Sequence, residues 1–128
     1  MFRIMLLRIA SVVLSFAGVL ALILGVAHWL GAAVNLITMH MLLGLLSIGA
    51  LWVIGIAQAL SKGGSWAIAA LSLIVGALTL LLGWNQTTLL VGDLHWLIQV
   101  GHVLSGVFTI GIGHMGVARI RRASAKFH

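Results

Sequence analysis

The sequence has almost no negative charge, no cysteine and no proline. Asp93 is the single acidic residue against seven Lys and Arg, and charged residues make up 6% of the 128. The absence of cysteine excludes disulfides, iron–sulfur ligation and thiol nucleophiles. A soluble domain carries roughly a quarter charged residues, so this composition excludes one and indicates a membrane protein. The net charge of +6 does not indicate nucleic-acid binding, because the basic residues lie only at the ends and in one loop.

The chain is rich in long apolar runs. Hydrophobic residues make up 62% of it, and four runs reach the roughly 20 residues that a hydrocarbon core of about 30 Å requires. The runs cover about 9–30, 36–60, 66–84 and 94–120. Backbone groups in lipid must be hydrogen-bonded internally, so the runs predict helices. Because the linkers are short, residues 1–128 predict one all-α domain, a four-helix transmembrane up-and-down bundle.

An alternative for the first run is a cleaved signal peptide, since Arg3 and Arg8 precede it and small residues end it. Its apolar core is longer than that of a signal peptide, which favours a span. The basic side chains then all fall on one side of the membrane, which predicts that both termini are cytoplasmic, in a bacterial inner membrane. These side chains are Arg3, Arg8, Lys62, Arg119, Arg121, Arg122 and Lys126.

The second and fourth runs contain an internal repeat. HMLLGLLSIG begins at His40 and HVLSGVFTIG begins at His102, with five of ten positions identical. A weaker match joins LALILG, which ends at Gly25, to LTLLLG, which ends at Gly83. The sequence therefore predicts two helix hairpins that run in the same direction and are related by a pseudo-two-fold axis along the membrane normal.

The repeat places a histidine above small residues on one face of each helix. Positions i, i+4 and i+7 share a face, so one stripe is His40, Gly44 and Ser47, and the other is His102, Gly106 and Thr109. The second and fourth helices of an up-and-down bundle are diagonal neighbours, so the imidazoles can face each other across the core. Two opposed imidazoles beside grooves of small residues predict the axial ligands of a haem b.

Two other interpretations of these stripes stay open. The small residues are also those that membrane helices use for close packing, in which case His40 and His102 hydrogen-bond across the bundle without a cofactor. The string Met39–His40–Met41 suggests a copper site, because thioether and imidazole groups both bind copper. Neighbouring residues on a helix point in different directions, which disfavours copper.

The chain resembles small four-helix membrane b-type cytochromes. The resemblance lies in His40 and His102, in the glycines that follow them and in the number of helices. The resemblance covers mainly the second and fourth helices, and it implies histidine ligation of haem b between diagonal helices. The chain departs from di-haem members, which place a second histidine pair deeper on the same helices. Only His114 lies toward that side, and its repeat counterpart is Trp52. One haem is therefore expected.

A polar cluster at the outer side includes His28 and His95, with Asn, Gln, Thr and Asp residues around them. Three interpretations stay open: side chains wetted at the headgroups, neutral hydrogen bonds to haem propionates, or a second haem pair or quinol site. His114 is expected to pack or to meet headgroups, and His128 is expected to be incidental.

These features predict a membrane electron-transfer protein or subunit, not an enzyme on its own. Haem near the outer side would exchange electrons with quinol or with a redox partner. Because no soluble domain is present, the chain is expected to join other subunits of a respiratory or photosynthetic complex. Alternatives are a (bacterio)chlorophyll-binding subunit and a structural subunit without a cofactor. A proton-coupled exporter is disfavoured, since no carboxylate lies within a span.

Overall fold

The computed structural model describes residues 1–127, which form four long α-helices and one short 3-10 segment. The helices are α1 (Phe2–Trp29), α2 (Ile37–Ala59), α3 (Trp66–Trp84) and α4 (His95–Ala125), and the 3-10 segment Val34–Leu36 leads into α2. Each helix is long and apolar enough to cross a membrane. The predicted all-α bundle is confirmed. His128 lies outside the described residues.

Two helices extend beyond the predicted apolar runs. α1 begins at Phe2 rather than near residue 9, and α4 continues to Ala125 rather than ending near residue 120. The added turns carry Arg3, Arg8 and Arg121. An apolar run shows only the part of a helix that lipid surrounds, whereas long basic side chains let a helix continue into the interface while their charges reach water.

The four helices form a closed ring in which one diagonal is short. α1 packs on α2, α2 on α3, α3 on α4, and α4 on α1. α2 and α4 also pack across the diagonal, whereas α1 and α3 do not approach each other within the described chain. The predicted diagonal relation of the second and fourth helices is therefore present, and the bundle is flattened along it.

One end of the bundle, which we call the basic half, holds the start of α1, the α2–α3 loop and the end of α4. Its core is tightly packed, with Leu14 and Ile54 completely buried. A Cβ atom added at Gly113 would overlap the Leu14 side chain, and one at Gly116 would lie 3.3 Å from Ile54 Cγ2. These glycines let α4 lie directly against α1 and α2.

The loop between α2 and α3 is fastened by polar groups. Gln58 is fully buried, and its amide donates to the Gly55 carbonyl at 2.9 Å and the Ser65 carbonyl at 2.6 Å. Its Oε1 accepts from the Ser65 amide at 3.0 Å. Arg119 Nε donates to the Gly63 carbonyl at 2.8 Å, and Arg3 donates to the Leu60 carbonyl. The basic half is thus closed at its end as well as in its core.

Candidate cofactor site

The other end of the bundle, which we call the histidine half, encloses a cavity of about 540 Å³. This end contains the α1–α2 loop and the loop 85–94, and all four helices contribute to the cavity wall. A volume of this size lies within the range of small-molecule and cofactor sites. The structure brings all the sequence-predicted site residues to this cavity: His28, His40, Gly44, Ser47, His95, His102, Gly106 and Thr109.

The imidazoles of His40 and His102 meet across the cavity. Their ring centroids are 6.1 Å apart and their planes are inclined at 79°. His40 comes from the first turn of α2 and His102 from the second turn of α4. Both rings are half-buried. The diagonal helices therefore bring two imidazole rings to the same space.

A hydrogen bond fixes the tautomer of His40. Its Nδ1 lies 2.7 Å from the carbonyl oxygen of Ala21 on α1. A carbonyl can only accept, so Nδ1 carries the proton and donates. In the neutral ring the proton is then absent from Nε2, whose lone pair is free. A backbone carbonyl that holds Nδ1–H in this way is the usual partner of a metal-ligating histidine.

His102 has the same surroundings without the hydrogen bond. Its Nδ1 is buried and has no hydrogen-bond partner among the described residues. The backbone of Thr79, which occupies the place in the second hairpin that Ala21 has in the first, lies near the ring but outside hydrogen-bond geometry. The His102 ring therefore has an unmet polar atom and no fixed tautomer.

Each ring rests on a glycine of the neighbouring helix. A Cβ atom at Gly25 would lie 2.8 Å from His40 Cε1, and one at Gly83 would lie 2.7 Å from His102 Cε1. These glycines end the two matched strings on α1 and α3. The sequence interpretation used those strings only as evidence of duplication and missed their role at the site. The signal was present, because both repeats keep the same glycine.

The lining itself repeats across the pseudo-two-fold axis. Equivalent positions of α1 and α3 both face the cavity, namely Ala21 and Thr79, Leu22 and Leu80, Gly25 and Gly83. The same is true of α2 and α4 at His40 and His102, Met41 and Val103, Gly44 and Gly106, Ser47 and Thr109, Ile48 and Ile110. The cavity therefore lies on the axis that relates the two hairpins.

The small residues below the histidines leave room for a ligand. A Cβ atom at Gly44 or at Gly106 would have nothing within 4 Å. The hydroxyls of Ser47 and Thr109 donate to carbonyls of their own helices, at 2.7 Å and 2.9 Å. Because these hydroxyls are satisfied locally, this part of the wall is effectively apolar and suits the face of a flat, apolar group.

Polar side chains surround the opening of the cavity toward the loops, which we call the mouth. It is formed by His28, Gln86, Thr87, His95 and Gln99. His28 Nδ1 is buried without a partner in the described chain, whereas His95 Nδ1 lies 3.1 Å from the Leu89 carbonyl and donates to it. The sequence interpretation missed Gln99, although it lies one turn after His95 on the face that carries His102.

His114 lies apart from the cavity. It is exposed, and its Nε2 lies 3.0 Å from Ser15 Oγ. Its repeat counterpart Trp52 packs over Gly76, where an added Cβ would overlap the indole. The two positions do not form a second histidine site.

Within residues 1–127 no three His, Cys, Asp or Glu side chains are placed to hold an ion. Of the Met–His–Met string, Met41 lines the cavity with His40 and Met39 does not.

Comparisons with models of known protein families, with curated proteins and with solved structures find no match to the chain.

Proposed function

We propose that this chain is a membrane b-type cytochrome that holds one haem b between α2 and α4 and transfers electrons. The observation that carries the proposal is the His40–His102 pair, with ring centroids 6.1 Å apart in a cavity that both residues line. Helix count and apolar composition agree with such a protein. The cofactor and the electron-transfer role are the proposed part.

The separation of the two rings supports axial ligation. A bond between a metal and an imidazole nitrogen is about 2 Å long, and the ring centroid lies about 1 Å behind the nitrogen, so two axial imidazoles have centroids about 6 Å apart. The pair has this separation without any rearrangement of α2 or α4. The free lone pair on His40 Nε2 also fits ligation.

The protein residues would set what the site does. A bound haem supplies one-electron redox chemistry. If His40 and His102 both held the iron, no position on it would remain for oxygen, and the group would transfer electrons rather than react with oxygen. Gly44 and Gly106 would leave room for the faces of the macrocycle. The apolar wall would keep water from the metal and so influence the reduction potential.

The distribution of basic residues supports an orientation for this cytochrome. Seven Lys and Arg belong to the basic half, so the positive-inside rule puts that half at the cytoplasmic side of a bacterial inner membrane. The histidine half then lies toward the outer side, where quinol or a redox partner subunit would exchange electrons. Substrate chemistry would then belong to other subunits.

The test is the oxidised and reduced absorption spectrum of the purified chain. The wild type should bind one haem and show the spectrum of a six-coordinate low-spin iron. His40→Ala and His102→Ala should each lose that spectrum, because either change removes an axial ligand. His114→Ala is the matched control and should keep it, since His114 is exposed and outside the cavity.

Two results would contradict the proposal. One is a purified wild type that neither contains nor takes up haem. The other is an unchanged spectrum in both His40→Ala and His102→Ala. Extraction of a (bacterio)chlorophyll instead of haem would assign the same histidines to the pigment-binding alternative.

A further inference from the structure

The two ends of the cavity differ in the hydrogen bonds that they can still make. Toward the basic half, the wall carries the hydroxyls of Ser47, Thr79 and Thr109. Each donates to a carbonyl of its own helix, at 2.7 Å, 2.8 Å and 2.9 Å respectively. Their hydrogens are already used, so this end offers a ligand no free donor.

At the mouth, in contrast, some polar side chains lack hydrogen-bond partners among the described residues. His28 Nδ1 is buried and unpartnered in the described chain, and Gln86 and Gln99 line the same opening. The side-chain hydrogen bond found there is the one between His95 Nδ1 and the Leu89 carbonyl. A buried polar atom without a partner costs about 1–3 kcal/mol. A ligand that brings hydrogen-bond acceptors to the mouth would remove that cost.

The hydrogen-bond donors that the protein offers at the mouth are uncharged. The Lys and Arg side chains all belong to the basic half, and Asp93, the one acidic residue, is exposed and does not line the cavity. Hydrogen bonds from neutral donors to a carboxylate are shorter and stronger than those to a neutral acceptor. The imidazole of His28 and the amides of Gln86 and Gln99 have the chemistry to bind carboxylates without an ion pair.

The mouth is also where the two-fold equivalence of the cavity ends. At the level of the histidine pair the two hairpins have matching residues at equivalent positions. At the mouth the equivalent positions differ: His28 of the first hairpin corresponds to Gln86 of the second, and Ile37 corresponds to Gln99. A matched wall cannot orient a ligand whose edges differ. The mouth is therefore the part of the cavity that distinguishes a polar edge of a macrocycle from an apolar edge.

We propose that His28, Gln86 and Gln99 form a subsite for the two carboxylates of the macrocycle. The carboxylate edge lies at the mouth, and the apolar edge faces Thr109 and the basic half. This assignment rests on the proposed function, and it chooses the propionate interpretation of the outer polar cluster over a second haem pair. It makes the three mouth residues positioning residues for the haem, in addition to its axial ligands.

The test compares haem with its dimethyl ester, which keeps the iron and the apolar edge but has no carboxylates. Haem-free protein is titrated with each compound, and binding is read from the six-coordinate spectrum. We expect the wild type to bind haem at least about tenfold more tightly than the ester, about 1.4 kcal/mol. In His28→Ala/Gln99→Leu the haem affinity should fall toward that of the ester, because Gln86 alone remains, and the affinity for the ester itself should stay unchanged.

The ester also serves as the folding control, because a misfolded variant would lose both compounds. Asn85→Ala is the matched surface control and should preserve the preference for haem, since the Asn85 amide donates to the Leu81 carbonyl and does not line the cavity. Equal wild-type affinity for haem and ester, with the six-coordinate spectrum intact, would overturn the subsite and leave the proposed function standing. A double variant that keeps the wild-type preference for haem over the ester would also overturn it. If the wild type bound neither compound, both proposals would fail.

Discussion

In the basic half Gly113 and Gly116 bring α4 against Leu14 and Ile54, whereas in the histidine half Gly106 faces open space. All three glycines belong to one helix, within a few turns of each other. The same residue type closes the bundle at one end and leaves it open at the other. What differs is the partner helix face, which carries large branched side chains in the basic half and an imidazole with small residues in the histidine half.

The two halves also differ in how completely polar groups are satisfied. The buried Gln58 uses its amide hydrogens and its oxygen within the basic half. The histidine half contains two of the three buried side-chain atoms that lack a partner among the described residues, on His28 and His102. Unmet buried groups are costly and a native fold keeps few of them. We therefore expect stability to depend mainly on the basic half and the proposed ligand binding on the histidine half.

The largest effect should come from filling the open space beside the histidine pair. Gly106→Leu puts a branched side chain into the cavity, where nothing lies within 4 Å of the added Cβ. The helix itself tolerates leucine better than glycine, so the fold should persist. We expect haem affinity to fall at least about a hundredfold, about 2.7 kcal/mol, in titrations followed by absorption. Gly111→Leu, which also meets open space but does not line the cavity, should bind as the wild type does.

The next effect tests the basic half by overpacking it. In Gly113→Leu the new side chain overlaps Leu14, a completely buried residue. Overpacking of a tight core costs about 1–3 kcal/mol, and we expect the free energy of unfolding in detergent to fall by about 2 kcal/mol. Gly111→Leu is again the control and should change it little. Loss of haem affinity in Gly113→Leu without loss of stability would contradict the division between the halves.

The arrangement of the helices could be predicted from the sequence because lipid imposes simple rules. Run length gave the spans within one residue for α2 and α3, and the repeat placed His40 and His102 on facing diagonal helices. Both inferences depend on periodicity along a single helix. The ends of α1 and α4 were predicted less well, since basic residues such as Arg3 mark the lipid boundary rather than the end of a helix.

The depth and closure of the cavity could not be predicted in the same way. They depend on which residues of different helices touch, as when Gly113 meets Leu14 or Gly83 meets the His102 ring. Periodicity cannot distinguish a glycine that admits a neighbouring helix from one that borders a cavity. Gln99 was missed for a related reason, because one amide on an apolar helix becomes informative only when its position beside His102 is known.

A smaller effect should follow from disturbing the support of one histidine. In Gly83→Ala the new methyl group would lie 2.7 Å from His102 Cε1, closer than such atoms approach, so the ring must turn away. A side-chain end moves easily, so the fold should remain, but the His102 nitrogen leaves its place opposite His40. We expect about a tenfold loss of haem affinity and an altered low-spin signal in electron paramagnetic resonance. Gly101→Ala, whose methyl group meets only Leu82 at 3.8 Å, should show neither change.

The smallest effect should come from the start of α3, at the far end of the basic half. Ser65 Oγ accepts from the Ile68 amide at 3.4 Å, a long capping bond, so Ser65→Ala should lower the free energy of unfolding by about 0.5 kcal/mol. The bonds from Gln58 reach the backbone of Ser65 and survive the change. Ser124→Ala, which changes an exposed side chain near the end of α4, should be neutral. Haem affinity should be the same in both variants, because a local loss at one end does not reach the histidine pair. A measurable fall in that affinity would show that the two halves are coupled through α3, whose Gly83 supports the His102 ring.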